Sequence, residues 1–145
     1  DIIFSLYPQA KVIYCDRSPL ASTVSILKNN MAVLPWAHRI DSILSYIDQS
    51  LQAIDKAMAK HPNRILHIKY EDLVVAPESQ SQKIMAFCDL NWHDSCLAFH
   101  EKQDVVSKTA SHLQIRKPIN QDALHTHKAY ETLFSDYVAH YPWLK

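Results

Sequence analysis

Apolar positions change period along this chain, and the changes mark its elements. Residues 11–15, KVIYC, are a short near-continuous apolar run closed by polar Asp16, the pattern of a strand buried on both faces. Residues 64–70, RILHIKY, alternate Ile65, His67 and Lys69 with Leu66 and Ile68 and predict a second strand. Between them the spacing predicts two helices, over 19–31 and 35–60. The second carries Ile40, Ile43, Leu44, Ile47, Leu51, Ile54 and Met58 on one stripe. Strand, helices and strand in that order predict an α/β unit with a right-handed crossover onto a parallel sheet.

Beyond Tyr70, residues 71–79 (EDLVVAPES) read as an acidic turn. They lead into a helix over 77–89 that has Pro77 at its start and Ile84, Met85 and Phe87 on its inner side. A short helix is expected at 95–100, a loop over 103–120, and two helical segments over 121–130 and 131–140. No repeat or low-complexity tract interrupts the pattern.

Composition narrows the function classes. A chain of 145 residues can bury one core, so one globular unit is expected. Fifteen basic residues balance fifteen acidic ones, so neither nucleic acid nor an anionic membrane surface is expected as the main partner, and any anion site must be local. No apolar run has the length of a membrane span, and DIIFSLYPQAK has no basic leader or cleavage-type ending. Cys15, Cys88 and Cys96 are odd in number and sit in apolar patterns, which predicts buried free thiols and a reducing compartment. Glycine is absent, so the tight turns and close phosphate approaches that glycine supplies must come from elsewhere; the expectation is a fragment beginning partway through a domain.

The chemistry-bearing unit is YCDRSPLASTVSILKNN. In open parallel sheets ligands sit beyond the carboxyl ends of strands, where helix N-termini present backbone N–H groups to anions. Arg17 stands at that place with a planar fork that can hold a phosphate through two hydrogen bonds. Ser25 follows eight residues later, about two turns into the helix that starts at Pro19. Ser18 before Pro19 also reads as an ordinary N-cap, and Ser22 as a solvent-facing hydroxyl. Taken alone, the unit fits a phosphate clamp and a plain helix start alike.

Three motifs in order separate those readings: FSLYPQAKVIYCDRSPLASTVSILKNN, HPNRILHIKYEDLVVAPESQSQKIMAFCDLNW and TASHLQIRKPINQDALHTHKAYE. Together they resemble the sulfotransferases that use 3'-phosphoadenylyl sulfate (PAPS), most closely the branch of tetratricopeptide-repeat and protein-tyrosine sulfotransferases. The resemblance runs from about Phe4 to Tyr130. It implies a three-layer, P-loop NTPase-like α/β fold, a parallel sheet flanked by helices, of which this chain supplies the C-terminal portion. It also implies that Arg17 and Ser25 bind the 3'-phosphate and that Tyr70 of the Tyr-Glu-Asp-Leu motif contacts the adenine side. Ser111, Gln114, Arg116 and Lys117, in SHLQIRKPIN, match the segment that wraps the cofactor. The family's 5'-phosphosulfate loop and catalytic base are expected upstream of Asp1, which leaves the catalytic residues unassigned and the fragment inactive alone.

One departure is visible: where the family carries a basic residue after the wrapping segment this chain has Thr126, with His125 and Lys128 as the nearby substitutes. The implied co-substrate is PAPS, with adenosine 3',5'-bisphosphate as product. The acceptor hydroxyl belongs to a protein tyrosine, a carbohydrate or a small molecule. An ATP-using nucleotide kinase of similar topology and a catalytically dead helical interaction module are the rivals. Tetratricopeptide-type relatives imply cytoplasm and the protein-tyrosine branch the Golgi lumen; cysteine usage points to cytoplasm. His93, Cys96 and His100 can share a helix face but are surrounded by Leu97 and Phe99, so packing is expected there and no metal. Glu71 and Asp72 read as capping rather than as an acid/base pair, and Trp36, Trp92 and Trp143 as partly buried anchors.

Overall fold

The computed structural model describes residues 2–29, 31, 33–101 and 116–144. The chain divides into two compact units: one from Asp1–Ala10, Arg17–Ile65 and Leu124–Lys145, the other from Lys11–Asp16 and Leu66–Ala123.

The first unit is helical. After α1 (Ile2–Leu6) come α2 (Pro19–Lys28), a 3₁₀ turn at Pro35–His38 and α3 (Ile40–Lys60). A 3₁₀ helix at Lys128–Tyr137 and a last turn at Pro142–Leu144 complete it. The expected stripe of α3 is the buried one: Ile43 and Leu44 are fully covered, Ile47 nearly so. Leu20 and Val24 of α2, Leu44 of α3, Phe134 and Leu144 make one apolar cluster. Leu27, Ile40, Tyr130, Val138 and Tyr141 pack around it. Trp143 Nε1 donates to Asp48 Oδ1 at 3.0 Å, and Trp36 stacks on Tyr46 at 4.1 Å, so both indoles are partly buried anchors as expected.

Helix α2 starts as its residues dictate. Pro19 fixes the first turn and the Ser18 hydroxyl accepts from the Ala21 N–H at 3.3 Å. Replacing Ser18 with Ala is expected to cost about 1 kcal/mol, and replacing it with Gly only a few tenths; thermal unfolding of the two variants checks this order. Arg64 ties down the chain after α1: its guanidinium donates to the carbonyls of Tyr7 and Ala10, both at 3.0 Å, and lies 4.2 Å from the Phe4 ring centre.

The second unit holds the sheet. Strands β1 (Val12–Asp16) and β2 (Ile65–Lys69) pair side by side in a small parallel sheet. Helices α4 (Tyr70–Val75) and α5 (Pro77–Phe87) follow, then 3₁₀ turns at Asp94–Cys96 and Phe99–Glu101. Trp92 Nε1 donates to Ser81 Oγ at 2.9 Å. The C-terminus of α5 shows how a chain without glycine closes a helix. Asp89 takes the left-handed conformation at φ 58°, while the Asp89 and Leu90 N–H groups donate to the Ala86 and Met85 carbonyls. Lys11 pairs with the Asp89 carboxylate and sits over the Phe87 ring, holding that turn to the start of β1.

Several expectations are corrected. Strand β1 is not buried on both faces: Ile13 is 42% exposed and Cys15 is exposed, because the described sheet has two strands and only the face with Val12, Tyr14 and Asp16 is partly covered. Cys15 is therefore not a buried thiol, and Cys88 and Cys96 are only partly covered. Residues 70–75 are a helix rather than an acidic turn, with Glu71 and Asp72 in its first turn. The helix expected over 35–60 is broken at Arg39, which is extended (φ −129°, ψ 129°). The short helix expected at 95–100 is two 3₁₀ turns, and the segments expected as helices over 121–140 contain turns and the longer 3₁₀ helix instead.

Candidate functional site

Arg17 follows the last residue of β1 and precedes the cap of α2, so its backbone is fixed by a strand on one side and a capped helix on the other. It is half-buried, as are Ser18 and Ser25. At a rise of about 1.5 Å per residue, Ser25 lies about 10 Å along α2 from its cap. The Ser25 Oγ accepts from Asn29 Nδ2 at 3.2 Å. A hydroxyl accepts and donates at once, so this hydrogen bond does not consume the Ser25 proton. Thr23, between them, is fully buried and returns its hydroxyl to the Pro19 carbonyl at 2.8 Å, which makes it part of the helix rather than of a ligand surface.

In the second unit, Tyr70 is the first residue of α4 and is half-buried. Arg116 and Lys117 are both exposed. Ser111 and Gln114 lie outside the described residues. Arg17, Ser18 and Ser25 thus belong to the first unit, whereas Tyr70, Arg116 and Lys117 belong to the second.

A group that the sequence reading did not single out stands on the covered face of the sheet. Asp16 Oδ2 is 3.0 Å from His67 Nε2, and Asp16 Oδ1 accepts from the Tyr14 hydroxyl at 3.3 Å. The Tyr14 and His67 rings stack at 5.3 Å. An ionised carboxylate only accepts, so the proton between His67 and Asp16 sits on Nε2. The period-2 alternation puts Tyr14 and Asp16 on one face, but their meeting with His67 depends on the register of strands 51 residues apart. Cys15 points the other way: partial shielding, then the Asp16 and Glu71 carboxylates, push its thiol up and keep it protonated and weakly nucleophilic at neutral pH.

The first unit also has a hollow of about 160 Å³ lined by Val24, Leu27, Lys28, Tyr130, Leu133 and Phe134. Its walls are apolar apart from Lys28, whose ammonium lies 5.6 Å from the Tyr130 ring centre. It offers packing space rather than converging polar groups.

Relatives of known sequence match most of the chain. It is 30% identical to an uncharacterized protein of Aquifex aeolicus over 90% of its own length and 18% of that protein's. It is 28% identical to protein-tyrosine sulfotransferase A of Caenorhabditis elegans, covering 82% of this chain and 33% of the relative. It is 27% identical to the protein-tyrosine sulfotransferase of Drosophila melanogaster, covering 84% and 26%. The chain therefore spans about a fifth to a third of the length of these relatives. The family model described as "Sulfotransferase family" matches residues 1–94, which include both strands, the Arg17 junction and the Tyr70 motif, and the chain belongs to that family.

Proposed function

We propose that this chain is the C-terminal part of a single sulfotransferase domain with a three-layer, P-loop-like fold, and that the enzyme moves a sulfuryl group from PAPS to an acceptor hydroxyl. The observation that carries the reading is the junction of β1 and α2, where Arg17 stands between a strand end and a capped helix and Ser25 follows on that helix. The match to the sulfotransferase family and the likeness to protein-tyrosine sulfotransferases support it.

In this reading Arg17 holds the 3'-phosphate through its planar fork and Ser25 donates its hydroxyl proton to the same group. Tyr70 lies against the adenine side, where an aromatic contact is worth about 1–3 kcal/mol. Ser111, Gln114, Arg116 and Lys117 wrap the nucleotide. These residues bind and orient; in-line attack, stabilisation of the moving oxygens and proton removal from the acceptor fall to groups outside this chain. The acceptor is a protein tyrosine, a carbohydrate or a small hydroxyl compound.

The test is transfer of radiolabelled sulfate from PAPS by the intact protein to a tyrosine peptide, a carbohydrate and a small phenol. Label on one of these classes is the expected result. Phosphoryl transfer from ATP with no sulfuryl transfer to any of them would overturn the reading.

A further inference from the structure

We propose that the hollow between α2 and the Lys128–Tyr137 helix is a binding site for a small aromatic monoanion, a ring of benzene size carrying one carboxylate or sulfate group. The inference goes beyond the reading of Arg17 and stands without it. Every lining residue belongs to the first unit.

Size decides the apolar half of the ligand. Val24 and Phe134, 3% and 1% exposed, form the floor, and the exposed Leu133 and Lys28 stand at the lip. The volume of about 160 Å³ matches the roughly 150 Å³ of an apolar cavity that holds one benzene ring. Water is a poor occupant, because it needs about two to four polar partners and the lining side chains offer only the Lys28 ammonium and the Tyr130 hydroxyl. An apolar ring instead supplies the dispersion contacts that the Val, Leu and Phe side chains lack on that side, and the rings of Tyr130 and Phe134 favour an aromatic one.

Charge decides the other half. Among the described lining residues Lys28 alone is charged. Its ammonium lies 5.6 Å from the Tyr130 ring centre, and among the described residues no carboxylate pairs with it. An ammonium has three donors, so contact with a ring face leaves capacity for an anion. A ring seated on the floor carries its substituent at the lip beside Lys28. There an anionic group gains a charge-assisted hydrogen bond and a cationic group is repelled. With no converging polar groups in the lining, shape and this single charge set the selectivity.

The experiment titrates the intact protein, labelled at its Leu and Val methyl groups, with benzenesulfonate, benzyl alcohol and benzylammonium, and follows the methyl NMR signals. Saturable shifts of Val24, Leu27 and Leu133 are expected for the sulfonate at about millimolar concentration, with Leu90, an exposed residue of the second unit, unmoved. Benzyl alcohol is expected to bind about three- to fivefold more weakly, the margin of one solvent-exposed ion pair, and benzylammonium more weakly still. Lys28→Met is expected to bring the sulfonate and the alcohol to equal affinity, and Lys28→Glu to place benzylammonium ahead of the sulfonate. Lys28 is exposed, so neither substitution disturbs the core. A hollow filled by another part of the intact protein would show no saturable shift at these methyls with any probe, and that result overturns the proposal. Equal affinity for the sulfonate and benzylammonium in the unmodified protein overturns it too, as does a sulfonate preference that survives Lys28→Met.

Discussion

Arg17→Ala in the intact protein is expected to weaken binding of adenosine 3',5'-bisphosphate by about 2–3 kcal/mol, roughly 30- to 150-fold, while leaving adenosine 5'-monophosphate almost unaffected. The magnitude is that of removing one charge-assisted hydrogen-bonding group from a site that keeps a second donor. Arg17→Lys keeps the charge but not the fork, so its affinity is expected to fall between the two. Position matters here because Arg17 leaves a paired strand and enters a helix whose first turn is fixed by Ser18 and Pro19, so little ordering remains to be done when the anion binds. Equal effects on the two nucleotides would mean that Arg17 does not read the 3'-phosphate.

The second large effect is on stability. Phe134 is 1% exposed and packs in the cluster with Leu20, Val24, Leu44 and Leu144. Phe134→Ala removes a buried ring and leaves a cavity, for an expected destabilisation of about 3–5 kcal/mol, a large share of the roughly 5–15 kcal/mol that holds a typical domain folded. The adjacent Leu133 is 58% exposed, and Leu133→Ala is expected to cost well under half as much. Chemical denaturation of both variants checks the contrast. Similar costs would mean that the C-terminal segment does not close the core in this way.

The features legible in the sequence are local ones. The Ser18–Pro19 start, the stripe of α3 and the two strands each depend on residues within a turn or two of one another, and the structure has them. The break at Arg39 is hidden because Trp36, Ile40 and Ile43 continue a helical period across an extended residue. Helices α1 and α4 have five and six residues, too few to establish a period, and α4 begins without a side-chain cap. The i, i+3 spacing of Tyr130 with Leu133 and of Phe134 with Tyr137 suits a 3₁₀ helix and an α-helix alike, so it does not distinguish them in Lys128–Tyr137. The same division holds at the site. The spacing of Arg17 and Ser25 lies within one junction, whereas the meeting of Asp16 with His67 arises only when two distant strands pair.

A 3'-phosphate anchor at Arg17 makes a demand that ATP, which has no phosphate at that position, cannot meet. Competitive calorimetric titration of the intact protein with adenosine 3',5'-bisphosphate and with ATP tests this most directly. The bisphosphate is predicted to bind at least about tenfold more tightly, the margin of one charge-assisted hydrogen bond. Equal affinity, or a preference for ATP, would contradict the assignment.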